Sequence, residues 1–136
     1  MDLVVLADEE GNSVSIRVLG QHPRWSAGLT AKIVIETPFV NGCIDLALSA
    51  SKLEAWGHAL DRLAAGEDIA WMEMSRGPSV FIQLTGERKC PEVVVEDESG
   101  SMVTVRIPID LPEGWIEDHR ERLGDLVASR KPIPSA

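Results

Sequence analysis

Ser51-Lys52-Leu53-Glu54-Ala55-Trp56-Gly57-His58-Ala59-Leu60-Asp61-Arg62-Leu63-Ala64-Ala65-Gly66 is the stretch on which the reading of this sequence turns. Its apolar residues Leu53, Trp56, Leu60 and Leu63 recur at i, i+3, i+7 and i+10, a spacing that lines them along one side of an α-helix. Ser51 followed by Glu54 has the form of a capping box, and Gly66 suits the left-handed position just past a helix end. Gly57 costs ~1 kcal/mol relative to Ala inside a helix, which predicts a closely packed neighbour there.

On both sides of this helix the hydrophobic period changes to two, the signature of half-buried strands. Upstream, residues 3–7 and 13–19 read as a hairpin around Glu9-Glu10-Gly11-Asn12, with Val14, Ile16 and Val18 alternating against Ser13, Ser15 and Arg17. Residues 20–28 form a loop carrying Arg24 and Trp25. Residues 29–37 and 39–48 make a second pair joined at Pro38. There Ala31, Ile33, Ile35, Val40, Ile44, Leu46 and Leu48 face inward, and Lys32, Val34, Glu36, Asn41, Cys43, Asp45 and Ala47 face outward. Gly42, on the inward set, marks a bulge or a close backbone approach.

Downstream, residues 68–74 and 80–85 flank Ser75-Arg76-Gly77-Pro78. Ile69-Ala70-Trp71-Met72 has no polar face, which predicts a strand near the sheet centre covered on both sides. Residues 92–97 and 102–109 pair around Glu98-Ser99-Gly100-Ser101, with Val103, Val105, Ile107 and Ile109 inward. Asp110-Leu111-Pro112-Glu113 starts a last helix, whose stripe of Ile116, His119, Leu123 and Leu126 runs to about Ala128. The order of four strands, helix, four strands, helix predicts an α+β fold. It is an antiparallel twisted sheet of about eight strands built of hairpins, with one central helix packed on a face and a C-terminal helix. Residues 1–128 read as a single domain and 129–136 as a flexible tail.

With 136 residues, 44% hydrophobic and 26% charged, the chain has the make-up of one globular core and of neither a disordered nor a membrane protein. Twenty-two Asp and Glu against thirteen Lys and Arg give a net charge of −9, which repels a phosphate backbone and argues against nucleic-acid binding. The first ten residues carry four acids and no base, unlike a targeting peptide, and the expectation is a soluble cytoplasmic protein. Cys43 and Cys90 are expected as free thiols. Arg88 and Lys89 would lower the pKa of Cys90 and make it reactive, although without a nearby His an incidental loop thiol is the simpler reading.

Nothing in local spacing unites His22, His58 and His119, and His119 reads as a packing histidine. No Cys-x-x-Cys, His-x-x-x-His, calcium-loop or Gly-x-Ser-x-Gly spacing occurs, and the acidic runs at 8–10, 96–98 and 117–118 suit solvated surface. The expectation is therefore a non-enzyme with no catalytic, cofactor or metal residues. Partner binding has better support. The outward sheet face collects Arg17, Lys32, Glu36, Asn41, Asp45, Gln83, Glu96, Thr104 and Arg106, and Trp25 beside Arg24 is a pairing favoured at binding hot spots. The candidate partner-binding residues are Arg17, Arg24, Trp25, Glu36, Asp45 and Glu96.

Three segments, residues 13–20, 53–71 with Trp56, Leu60, Leu63, Ala65 and Gly66, and 105–123 with Gly114-Trp115, resemble a family of small acidic actinobacterial proteins catalogued only as a domain of unknown function. That resemblance supplies no catalytic residue. The layout of paired strands, a Leu-x-x-Trp helix ending in Leu-Ala-x-Gly, and further strands looks like bacterial toxin-immunity proteins, which implies a protein partner such as a basic toxin. The alternatives are a small enzyme or ligand-binding domain with a pocket between helix and sheet, and a structural subunit dimerising through a free sheet edge.

Overall fold

The computed structural model describes residues 1–24, 28–73, 76–86, 89–98 and 100–130. Its elements run β1 (Asp2–Ala7), β2 (Ser13–Gln21), β3 (Leu29–Glu36), β4 (Asn41–Leu48), α1 (Ala50–Ala64), β5 (Ile69–Trp71), β6 (Ser79–Gln83), β7 (Glu92–Glu96), β8 (Thr104–Pro108) and α2 (Trp115–Arg130). The α+β class and the element order follow the sequence reading, but the strands divide into two antiparallel sheets, β1-β2-β3-β4 and β5-β6-β7-β8. Each sheet is a meander in chain order followed by a helix, and each helix packs on the first strand of the other sheet, α1 on β5 and α2 on β1. A four-strand-plus-helix unit thus occurs twice, a repeat of topology that no recurring residue pattern announced.

Alternation puts the expected residues inside. Val14, Ile16 and Val18 lie opposite Ile35, Ile33 and Ala31 on the inner face of the first sheet, and Ile82, Val93 and Ile107 form a row across the second. These faces share one continuous core with the buried stripe of α1, Leu53, Trp56, Ala59, Leu60 and Leu63. Trp56 stacks on Trp71 at 4.6 Å between ring centroids and meets His119 edge-on at 6.2 Å, and Trp115 meets the same imidazole at 5.9 Å. Gly57 admits α2 closely: a Cβ there would lie 3.4 Å from Leu123 Cδ2.

Several boundaries differ from the sequence expectation, each for a local reason. The helix cap is Ser49, whose hydroxyl accepts from the Lys52 N–H at 3.1 Å, while Ser51 hydrogen-bonds Ser49 Oγ at 2.9 Å and forms no capping box. Gly66, at φ +85°, ends α1 as expected, with Gly66 N–H donating to Leu63 O and Glu67 N–H to Arg62 O. Strand β4 starts at Asn41 because Thr37 Oγ1 accepts from the Phe39 and Val40 N–H groups and folds residues 37–40 into a turn. Gly42 makes no bulge, since its pairing with Ile35 is regular; the irregularities fall between Asp2 and Val4 and between Val18 and Gly20.

Strand β5 is a three-residue edge with Ala70 exposed, not a central strand covered on both sides, because Met72 at φ +68° ends it. Strand β8 starts at Thr104. Before it, Asp97 Oδ2 accepts from both the N–H and the hydroxyl of Ser101 and Asp97 O accepts from the Met102 N–H, so Met102 (φ +63°) and Val103 belong to a turn. Helix α2 begins at Trp115 and continues to Arg130, two residues past the point where a tail was expected; residues 131–136 lie outside the described residues.

Helix α2 also closes one edge of the first sheet. His119, 1% exposed, accepts the Val5 N–H through Nε2 at 3.0 Å and donates through Nδ1 to Trp115 O at 2.6 Å, which fixes a neutral imidazole in one tautomer. One turn on, Arg122 Nη1 donates to Asp2 O at 2.9 Å, so two side chains of one helix occupy hydrogen-bonding positions along β1 that a further strand would use. Burial pushes the His119 pKa below its ordinary 6.5, with the bond to Trp115 O opposing it.

Candidate functional site

The opposite edge is open. Strands β4 and β8 each end their sheet, and a hollow of about 220 Å³ lies between them, lined by Ile35, Val40, Gly42 and Ile44 on one side and Val95, Val103 and Val105 on the other. A neighbouring hollow of about 370 Å³ lies between Pro38, Phe39 and Val40 and the strand residues Val105, Ile107 and Pro108. Asn12 Nδ2 donates to Pro108 O at 3.2 Å and ties the β1–β2 turn to the same region. Of the seven large hydrophobic residues exposed among the described residues, four flank this seam: Phe39 at 88%, Val40 at 41%, Met102 at 81% and Val103 at 54%. Exposed apolar side chains gathered in one place mark interaction surfaces more often than chance scatter does.

The seam's charged neighbours are mixed, with Asp97 lining the first hollow and Arg106 the second. Glu36, beside Asn41 in register, and Asp45 are exposed, and the two Ser101 hydrogen bonds hold the Asp97 carboxyl below the usual carboxylate range. Lys32, in register between Arg17 and Asp45, lies 3.7 Å from Asp45. In the second sheet Glu92, 5% exposed, meets Arg106 Nη1 at 2.9 Å, and Gly86 packs so tightly on this carboxylate that any Cβ there would collide with it.

The sequence-chosen residues are divided by the fold. Arg17, Lys32 and Asp45 form one cross-strand row on the outer face of the first sheet, with Arg17 Nε 3.2 Å from Asp2 Oδ1. Glu36 stands at the seam end of that sheet, and Glu96 is on β7 in the other sheet, so the single outward face expected from alternation is two faces. Arg24 is exposed beyond the far end of β2, its N–H donating to His22 Nδ1 at 3.2 Å; Trp25 lies outside the described residues. Alternation assigned Val40 and Val103 to the core. The polar turn formers beside them, Thr37-Pro38 and Ser101, were the signal that the strands stop short and leave them exposed.

Other chemistry is dispersed. The groove between α1 and α2, about 820 Å³, has an apolar floor of Leu53, Leu60 and Leu123, with His58 on its rim 3.8 Å from Glu54 Oε1 and both side chains in solvent. Arg120 pairs there with Asp61 at 3.0 Å and with Glu117. A hollow of about 360 Å³ separates α1 from the end of β5, and in it Lys52 donates to Ala47 O at 2.9 Å, its ammonium pKa lowered by burial. Cys43 and Cys90 are free thiols. The Cys90 pKa is raised and not lowered as its cationic neighbours alone would have it: burial raises it most, and the carboxylates of Asp110, Asp8, Glu10 and Glu92 push the same way. No group of three or more His, Cys, Asp or Glu placed to hold a metal occurs among the described residues. No helix among them is long and apolar enough to cross a membrane.

These features define an α+β protein of two four-stranded meanders and two helices, sealed along one sheet edge and bearing an exposed apolar seam along another. The chain belongs to the family described as "Family of unknown function (DUF5959)", whose model matches residues 1–131. No curated protein and no solved structure matches it.

Proposed function

We propose that this chain is a non-enzymatic, cytoplasmic protein-binding module of immunity type, which neutralises a basic toxin by covering part of its surface. The observation that carries this reading is the concentration of exposed Phe39, Val40, Met102 and Val103 along one seam of a chain with net charge −9. An apolar centre with a charged rim is the anatomy of a protein interface, and the excess negative charge accelerates encounter with a basic partner. The test is capture on the immobilised chain from the cell of origin, then titration of the purified partner at low and high salt. The expected result is a basic protein bound more weakly as salt rises and silenced by co-expression of this chain. Absence of any direct protein partner, with no toxin gene beside its own, would sink the proposal.

A second reading has one observation in its favour, the groove of about 820 Å³ between α1 and α2, within the size range of small-molecule sites. It requires an apolar ligand whose binding shifts the amide signals of Leu53, Leu60 and Leu123 and leaves those of β4 and β8 unmoved.

A further inference from the structure

We infer that the free edge of β4 accepts an extended segment of the partner as an added strand. An apolar side chain of that segment enters the hollow between β4 and β8, and its Lys or Arg neighbours meet Glu36, Asp45 and Asp97. This rests on the protein-binding reading and specifies its site and the chemistry of its partner.

Four observations converge on β4. No described strand pairs with its outer side, and Asn41, Gly42 and Cys43 are successive exposed residues, so backbone hydrogen-bonding groups are within reach there. Gly42 has no heavy atom within 4 Å of where a Cβ would stand, so the hollow is open over this residue of the strand. The hollow beside the edge is walled by Ile44, Val40, Val103 and Val105, and a strand presents alternate side chains to one face, so one apolar residue can point in while its neighbours point to the rim. Asp97 lines the hollow, and Glu36 and Asp45 are exposed on the outer face of β3 and β4, where Asp45 lies 3.7 Å from Lys32.

Charge decides among occupants. A second copy docked edge to edge would set these carboxylates against themselves, and nucleic acid would bring phosphates to the same carboxylates, whereas a strand alternating apolar and cationic residues complements both the hollow and its border.

The experiment uses the whole chain and a short synthetic peptide alternating Val with Lys, with a peptide alternating Val with Glu as its counterpart. The basic peptide is expected to shift the amide signals of residues 41–45 and 103–105. Binding should weaken about tenfold in the double variant Val40→Asp/Val103→Asp and several-fold in Glu36→Lys, and the acidic peptide should not bind. All three positions are exposed, and an unchanged unfolding midpoint verifies that the variants fold. Overturning results are no binding of the basic peptide, equal binding of the acidic one, shifts confined to the α1–α2 groove, or indifference to the variants. A captured partner that binds the double variant as tightly as wild type also overturns the seam while leaving the protein-binding reading intact. Failure to capture any partner defeats that reading independently of the peptide result.

Discussion

Strands β1 and β4 are the two edges of one sheet, and they end in opposite ways. Along β1, His119 and Arg122 of α2 take the Val5 N–H and the Asp2 carbonyl, so part of the edge's hydrogen-bonding capacity is consumed within the chain. Along β4, no described strand or helix does the same, and apolar residues from two turns collect beside it. The two strands also differ in composition: β1 is an apolar run with adjacent Leu3 and Val4 both buried, whereas β4 exposes Asn41, Cys43 and Asp45. Chain order supplies the cover: α2 follows the second sheet and returns to the first strand of the first, and no third helix exists among the described residues to reach β4. An edge sealed by side chains resists strand addition, and one left open invites it.

The comparison can be broken first at His119. His119→Ala removes a buried ring that touches Trp56 and Trp115 and orphans the Val5 N–H, and is expected to cost about 3 kcal/mol, read as a lower urea midpoint at unchanged slope. A loss below about 1 kcal/mol would mean that the seal contributes little. pH probes the same contact. The folded pKa of His119 lies below 6.5, so the unfolded chain binds the extra proton, and stability is complete above the unfolded value and falls as pH drops through 6.5 toward the folded pKa. Asp118 pulls that folded value up and Arg122 pushes it down, but burial is the largest influence. Denaturation at a series of pH values should show this loss in wild type and lack it in His119→Phe.

Arg122→Ala, which removes one bond to Asp2 O and the contact with Asp118 at 2.9 Å, is expected to cost about 1 kcal/mol and to speed amide exchange in β1. A slowed or unaltered β1 would separate Arg122 from the seal. The smallest effect is expected at the open edge: Val40→Asp should change stability by less than about 0.5 kcal/mol, because Val40 is already exposed and held in a turn. A larger loss would show Val40 to be core, as alternation first placed it.

The strands, the two helices and the inward residues of β2 and β3 were legible because periods of two and 3.6 record which side of an element is buried. The Schellman end at Gly66 and the packing role of His119 were legible too. The ends of β4 and β8 were not, since alternation continues through Val40 and Val103 although Thr37 and Asp97 have already turned the chain. Nor was Glu92, whose burial depends on Arg106 from the next strand and on the close approach of Gly86.

Sequence alone determined what each segment is and, outside β5 and the starts of β4 and β8, which side of it is buried, because those properties arise within a few residues. The division of eight strands into two sheets, the seal on β1 and the open seam at β4 were decided by tertiary structure, because each depends on which distant element comes to lie beside an edge. The apolar run of β1 records that it is covered, but backbone hydrogen-bonding groups are the same in every strand, so its residues do not record which element covers it.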